Sequence, residues 1–246
     1  MYYPSCAASR HAREEDQLLQ ALRSEVYEAH LELVRRGLVM YTFGNASGVA
    51  REEGLLVIKP SGVPYETLRP ADMVITDLEG RVVEGSLRPS SDLATHAALY
   101  RAFPTIGGVV HTHSRHATAW AQACREIPCF GTTHADYFCG AVPVTAALNP
   151  EEIESDYEAN TGAAIIRLME GRDPAGCPAA LVAGHAPFCW GKSVIDAVHN
   201  AVIVEELAAM AWQTLTINPE AVPLAAALRD KHFYRKHGPK AYYGQK

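Results

Sequence analysis

At 246 residues, with 48% hydrophobic and 20% charged side chains, the chain has the makeup of a globular protein long enough to bury a sizeable core. A formal net charge of −6 argues against nucleic acid or an anionic membrane as the main partner, yet leaves room for a small anion held by backbone amides and a few cations. No run approaches the roughly 18 apolar residues of a membrane span, the N-terminus has no apolar signal core, and the six cysteines include no C-x-x-C pair, so reduced thiols in a cytoplasmic protein are expected.

Residues 1–13 show no strong period and read as an extension. From Glu14 onward, Leu18, Leu22, Val26, Ala29 and Leu33 form an apolar stripe at helical spacing, with Gly37 as the C-cap. Residues 46–51 and 55–59 flank Glu52-Glu53-Gly54 as one predicted hairpin, and 73–76 and 81–83 flank Asp77-Leu78-Glu79-Gly80 as a second. A helix is predicted over 93–103, then a strand ending in His111-Thr112-His113, and a helix near 115–125. Residues 126–145 read as loop with a short strand near 141–144, and a long helix follows Pro150 toward Gly171. Two short strands, 179–183 and 187–190, enclose Gly184-His185-Ala186, and helices over 193–216 and 219–237 close the chain. With no repeat and no convincing linker, residues 14–246 read as a single α/β domain whose hairpins make neighbouring strands antiparallel.

His111 and His113 are one residue apart, so on a strand both imidazoles project from one face and form half of a metal site; the alternative is a polar pair at a strand end. A catalytic metal needs about three protein ligands and an open position. His185, beside Gly184 in a turn, and Asp92, ahead of a helix, are the candidates for the remaining ligands, although aspartate there serves equally as an N-cap. His30, His96, His116 and His199 fall within predicted helices and read as core or surface residues.

Gly44-Asn45-Ala46-Ser47, Lys59-Pro60-Ser61-Gly62 and Ser90-Ser91 are each able to turn backbone amides onto a phosphate, though each alone reads as an ordinary turn. Polar residues that include Thr132 and Asp136, and a basic, aromatic C-terminus that includes His232 and Tyr243, supply candidate proton-transfer groups. No P-loop, G-x-G-x-x-G or G-x-S-x-G segment occurs, so nucleotide binding and serine hydrolysis have no support.

Taken in order, Gly44-Asn45, Lys59-Pro60-Ser61-Gly62-Val63, Pro89-Ser90-Ser91-Asp92, His111-Thr112-His113-Ser114-Arg115-His116-Ala117-Thr118, residues 131–138 and the closing Lys236-His237-Gly238 with 241–245 resemble the L-ribulose-5-phosphate 4-epimerases of the class II aldolase/epimerase family. The likeness runs from about Glu14 to Lys246. It implies a central, mostly antiparallel sheet flanked by helices. It also implies one divalent ion per subunit, zinc foremost, on Asp92, His111, His113 and His185. Substrate phosphate would lie on Gly44, Asn45, Ser61, Gly62, Ser90 and Ser91 with Lys59 nearby. Asp136 and Tyr243 would be the acid/base pair, the tyrosine reaching in from a neighbour in a homotetramer with sites at its subunit interfaces. Thr132 and His232 would line the site.

The implied reaction explains these residue types. The hydrogen on C4 of L-ribulose 5-phosphate is not acidic, so inversion there calls for retro-aldol cleavage of C3–C4, rotation of the aldehyde and re-addition. The fragments so expected are a dihydroxyacetone phosphate enediolate, stabilised by the metal, and glycolaldehyde. Opposite faces of the C4 oxygen need separate acid/base groups. Two other members of the family are the alternatives: a class II aldolase, which typically carries glutamate where this chain has Asp92, and a non-catalytic module like the adducin head, which lacks the full ligand set. Ala186 stands where the epimerases carry glycine, which bears on the loop presenting His185.

Overall fold

The computed structural model describes residues 6–243. The first helix, α1, spans Cys6–Arg35, so the chain expected to be an extension is helical from Cys6 onward; residues 1–5 lie outside the described residues. Val26, Ala29 and Leu33 are buried as the stripe predicted, but Leu19 rather than Leu18 takes the core position at its upper end. His30 locks this helix down. Its Nδ1–H donates to the Val26 carbonyl (2.6 Å) and its Nε2 accepts from the Ala46 amide (2.9 Å). Burial pushes its pKa down to about 3, so it serves as a neutral clamp.

Both predicted hairpins form. Strand β1 (Asn45–Ala50) pairs antiparallel with β2 (Leu55–Ile58), and β3 (Val74–Asp77) with β4 (Val82–Glu84). Helix α2 (Leu93–Ala102) precedes β5 (Gly108–His111), and α3 (Arg115–Gln122) follows it. The strand expected near 141–144 does not form. Pro143 has no N–H to give to a ladder, and Val142 and Val144 make only isolated bridges, to Ile127 and Leu181. A short helix, α4 (Thr132–Ala135), stands in the stretch read as loop.

The long helix predicted after Pro150 is two: α5 (Pro150–Glu154) and α6 (Tyr157–Leu168). The chain breaks at Ser155, and Asp156 recaps by accepting from the Ala159 amide (3.4 Å). Strands β6 (Ala179–Leu181) and β7 (Pro187–Gly191) lead into α7 (Val194–Ile217). The last helix, α8 (Ala226–Lys236), starts later than the pattern suggested, because Leu224 is held in a non-helical segment by its amide bond to the Cys129 carbonyl (2.8 Å).

Among the described residues the strands form one sheet in the order β4-β3-β2-β1-β5-β7-β6, antiparallel at every pairing. Helices α1 and α7 pack on one face. On the other, Ser47 of β1 bonds His96 and Tyr100 of α2, and α6 packs over α2. The register sets Asn45 opposite His111 and His111 opposite Phe188. The start of β1, the end of β5 and the start of β7 therefore meet at one end of the sheet. Among the described residues no helix is long and apolar enough to cross a membrane, and the described cysteines, Cys124, Cys129, Cys139, Cys177 and Cys189, are all free thiols.

Candidate metal centre and substrate cavity

His111 is the last residue of β5, held in place by the buried Val109 and Val110 before it. Its ring stacks on Phe188 with centroids 4.2 Å apart. Its Nδ1 faces the Pro187 carbonyl at 3.0 Å, so Nδ1 carries the proton and Nε2 is left as a lone pair. That Nε2 stands 3.1 Å from Nε2 of His113. His113 lies beyond the strand rather than on it, in the link to α3. The two imidazoles nonetheless face one another, as two residues one apart on extended chain do.

His185 comes from the turn between β6 and β7. Gly184 takes the left-handed conformation there (φ 72°), and the turn is closed by His185 N–H to the Val182 carbonyl and Val182 N–H to the Ala186 carbonyl, both 3.0 Å. Ala186 is fully buried, and among the described non-glycine residues only Tyr41 and Cys124 have positive φ. The turn therefore places its conformational demand on Gly184, and a methyl group at 186 is accommodated.

Ring nitrogens of His111, His113 and His185 all lie within 4.8 Å of one another. Burial lowers the pKa of each imidazole, so all three are neutral at pH 7 and able to offer lone pairs. Two donors of one tetrahedral ion, with bonds near 2.0–2.1 Å, sit about 3.3 Å apart, close to the His111–His113 spacing. The three imidazoles fit a divalent ion such as zinc.

Asp92 occupies the N-cap position of α2, yet its carboxylate makes no capping bond. Asn45 Nδ2 donates to its Oδ2 at 2.6 Å and to Ser90 Oγ at 3.0 Å. Burial pushes the Asp92 pKa up, but the facing His111 and His96 and the Asn45 hydrogen bond outweigh it and leave the carboxyl below its ordinary value. The capping alternative is thereby removed: Asp92 is an ionised side chain on the wall of the cavity that holds the histidines.

That cavity has a volume of about 370 Å³, and the three loops read as phosphate holders also line it. Two run side by side: the Ser61 amide donates to the Arg88 carbonyl and the Ser90 amide to the Lys59 carbonyl, both at 2.9 Å. Gly44 has φ 77°, and a Cβ there would come within 2.9 Å of the His111 carbonyl, so only glycine brings this loop against the metal strand. Tyr65 props the same loop by donating to the Phe43 and Gly44 carbonyls at 2.7 and 3.0 Å. Lys59 is almost fully buried, and among the described residues it forms no ion pair; its Nζ faces the Pro60 and Thr42 carbonyls, at 3.3 and 3.5 Å, and the Tyr65 ring, 5.0 Å from its centroid. Burial lowers its pKa to about 8. A buried ammonium without a counterion, beside Ser61, Gly62, Ser90 and Ser91, is an anion receptor.

Tyr157 and Glu158 also line the cavity, and sequence reasoning missed both. Tyr157 O–H stands 3.2 Å from His185 Nδ1, an outer-shell partner for that ring. The signal was the Ser155-Asp156 pair, two helix-capping residues that break the helix just before them.

Asp136, Tyr243, Thr132 and His232 do not line this cavity. They gather instead where α4 meets α8. Asp136 accepts from Arg235 Nε (3.1 Å) and Nη2 (2.8 Å), pairs with His232 Nδ1 at 3.0 Å and lies 3.4 Å from Lys236 Nζ. Burial pushes its pKa up, but the hydrogen bonds from Arg235 and His232 and the charges of Lys236 and Arg235 outweigh it and hold the carboxyl below its usual range. Thr132 opens α4 and accepts the Asp136 amide at its carbonyl (2.9 Å). Tyr243 is 58% exposed, its ring 4.6 Å from the Arg235 guanidinium. One chain thus holds the two halves of the expected machinery in separate places.

The family profile described as Class II Aldolase and Adducin N-terminal domain matches residues 24–212. The proteins named L-ribulose-5-phosphate 4-epimerase UlaF from Salmonella paratyphi C and Salmonella choleraesuis are each 57% identical to this chain over 228 residues, covering 93% of it and 100% of their own length. Among solved structures, an L-fuculose 1-phosphate aldolase superposes with a TM-score of 0.75 at 26% identity, covering 87% of this chain and 95% of its own. YgbL from Klebsiella pneumoniae does so with a TM-score of 0.69 at 27% identity, covering 87% and 98%. The chain belongs to the class II aldolase and adducin N-terminal domain family.

Proposed function

We propose that this protein is a divalent-metal-dependent epimerase that interconverts L-ribulose 5-phosphate and D-xylulose 5-phosphate, with zinc held by Asp92, His111, His113 and His185. The observation that carries the proposal is a single cavity lined by three neutral imidazoles, an ionised carboxylate and, among small-residue loops, a buried ammonium with no ion pair among the described residues. The 57% likeness to proteins named as L-ribulose-5-phosphate 4-epimerases supports the choice of substrate.

A divalent ion bound by these four residues supplies Lewis-acid stabilisation of charge developing on the ketose oxygens. Lys59, with the amides and hydroxyls of Ser61, Gly62, Ser90 and Ser91 and the loop of Gly44 and Asn45, binds the phosphate. The fragments differ from those expected from the sequence. The phosphate is on C5, so cleavage of C3–C4 leaves it on the two-carbon piece: the enediolate is that of dihydroxyacetone and the aldehyde is glycolaldehyde phosphate. The phosphate loops therefore tether the very fragment that rotates, which keeps it from escaping before the bond re-forms. Removal of a proton from the C4 hydroxyl and its return on the opposite face fall to Asp136 and Tyr243. Both stand apart from the cavity in their own chain, so a neighbouring subunit of a homotetramer supplies them, with Thr132 and His232 lining the same side.

The test is to strip the protein of metal, reload it with zinc, supply L-ribulose 5-phosphate and follow products by NMR. D-xylulose 5-phosphate is expected from the loaded protein, with a loss on the order of a thousandfold on stripping, the equivalent of several kcal/mol of charge stabilisation. Full activity in metal-free protein contradicts the metal's role, and release of free aldehyde as the main product makes the protein an aldolase.

A further inference from the structure

Asp136 and Tyr243 are far apart in sequence, yet one side chain connects them. The Arg235 guanidinium reaches both carboxylate oxygens of Asp136, with Nε 3.1 Å from Oδ1 and Nη2 2.8 Å from Oδ2. The same guanidinium lies over the Tyr243 ring, 4.6 Å from its centroid. The Arg235 carbonyl then accepts the amides of both Tyr242 (2.9 Å) and Tyr243 (3.0 Å), after the chain reverses at Gly238 (φ 89°). Arg235 thus sits in the last turn of α8, pairs with the end of α4 and anchors the returning C-terminal segment.

Neighbouring side chains do not duplicate it. Lys236 Nζ reaches Asp136 Oδ2 only at 3.4 Å and also lies near the Tyr137 and Tyr243 rings, at 4.8 and 4.7 Å. His232 touches only Oδ1. A planar fork alone is able to bind both carboxylate oxygens and stack on an aromatic face at once.

We propose that Arg235 is a positioning residue that fixes Asp136 and Tyr243 as one rigid unit for delivery into a neighbouring subunit's cavity. This rests on the reading of those two residues as the acid/base pair. Displacing a reacting group by about 1 Å costs on the order of a hundredfold in rate, so the effect belongs in kcat.

The experiment compares zinc-loaded wild type, Arg235→Ala, Arg235→Lys and Tyr243→Phe by steady-state kinetics, with metal content and assembly mass measured on each. Arg235→Ala is expected to lose roughly a hundredfold in kcat with KM changed less than about threefold, and to regain part of it when guanidinium is added. Arg235→Lys, which keeps the charge but not the fork, is expected to lose about tenfold, and it carries the test should Arg235→Ala fail to assemble. The double variant Arg235→Ala/Tyr243→Phe is expected to lose far less than the product of the single losses. Wild-type kcat in Arg235→Lys, or fully multiplicative losses without guanidinium rescue, overturns the proposal while a defective Tyr243→Phe leaves the acid/base reading standing. A fully active Tyr243→Phe overturns that reading and this proposal together.

Discussion

The metal cavity and the Asp136–Tyr243 cluster are built on opposite principles. The cavity sits where three central strands end, and its groups are fixed by the sheet: His111 by β5 and the Pro187 carbonyl, Asp92 by Asn45 of β1, His185 by the turn into β7. Its charges are under-compensated. Lys59 is buried with no ion pair among the described residues, and three imidazoles turn ring nitrogens toward one another within 4.8 Å. The cluster is the reverse. Its carboxylate faces the cations Arg235 and Lys236 and the His232 imidazole, while its tyrosine stands out in solvent. Under the proposed function, the difference makes one region a receptor for ion and phosphate and the other a satisfied surface element that would act only against another subunit.

The largest expected effect separates the two regions. Tyr243→Phe removes one exposed hydroxyl and is expected to lower kcat by about 10²–10⁴, the range of general acid–base catalysis, with melting temperature and metal content unchanged. Wild-type turnover in this variant would strip the cluster of its role.

Asn45→Ala acts on the cavity alone. It deletes the 2.6 Å bond that orients Asp92, and metal affinity is expected to fall about 10–100-fold, as for other outer-shell losses. An unchanged affinity, measured by competition with a chromogenic chelator, would mean that Asp92 is held by something else.

The smallest effect concerns Lys59. Its pKa is about 8 in the folded protein against the ordinary 10.5, so between these values the unfolded chain binds more protons than the native one. Stability therefore rises with pH through that window, and the ammonium that receives phosphate is lost as pH climbs past about 8. Lys59→Met is expected to raise KM about tenfold below pH 8, to abolish this increase in stability, and to flatten the alkaline rise in KM. A wild-type pH profile in the variant would remove Lys59 from the phosphate site.

Much of this was legible in the sequence, for physical reasons that differ by residue. The hairpins were marked by Gly54 and Gly80 at their turns, and α1 by its stripe, so local chemistry sufficed. The phosphate loops and ligands could be named but not joined, because Asn45, Asp92, His111 and His185 meet only through strand register, a long-range fact. The helix break at Ser155 that brings Tyr157 to His185 was marked only by the capping pair Ser155-Asp156 within an otherwise continuous helical pattern. Asp92 was ambiguous for a sound reason: its backbone does sit at an N-cap, and only the side-chain partner shows that it does not cap. The separation of Asp136 from the cavity had no local signal at all, since it depends on where α8 returns to α4.

The central claim, that each site is assembled from two chains, is tested most directly by mixing inactive subunits. His113→Asn subunits keep the cluster but lose a ligand, whereas Tyr243→Phe subunits keep the cavity but lose the hydroxyl. In a ring where each cavity takes its neighbour's cluster, statistical mixed tetramers from co-expression contain about one intact site in four. Activity near a quarter of wild type is predicted from a mixture of two nearly inactive proteins. Activity no greater than that of the two variants assayed apart would contradict the account and place both halves of the machinery in a single chain.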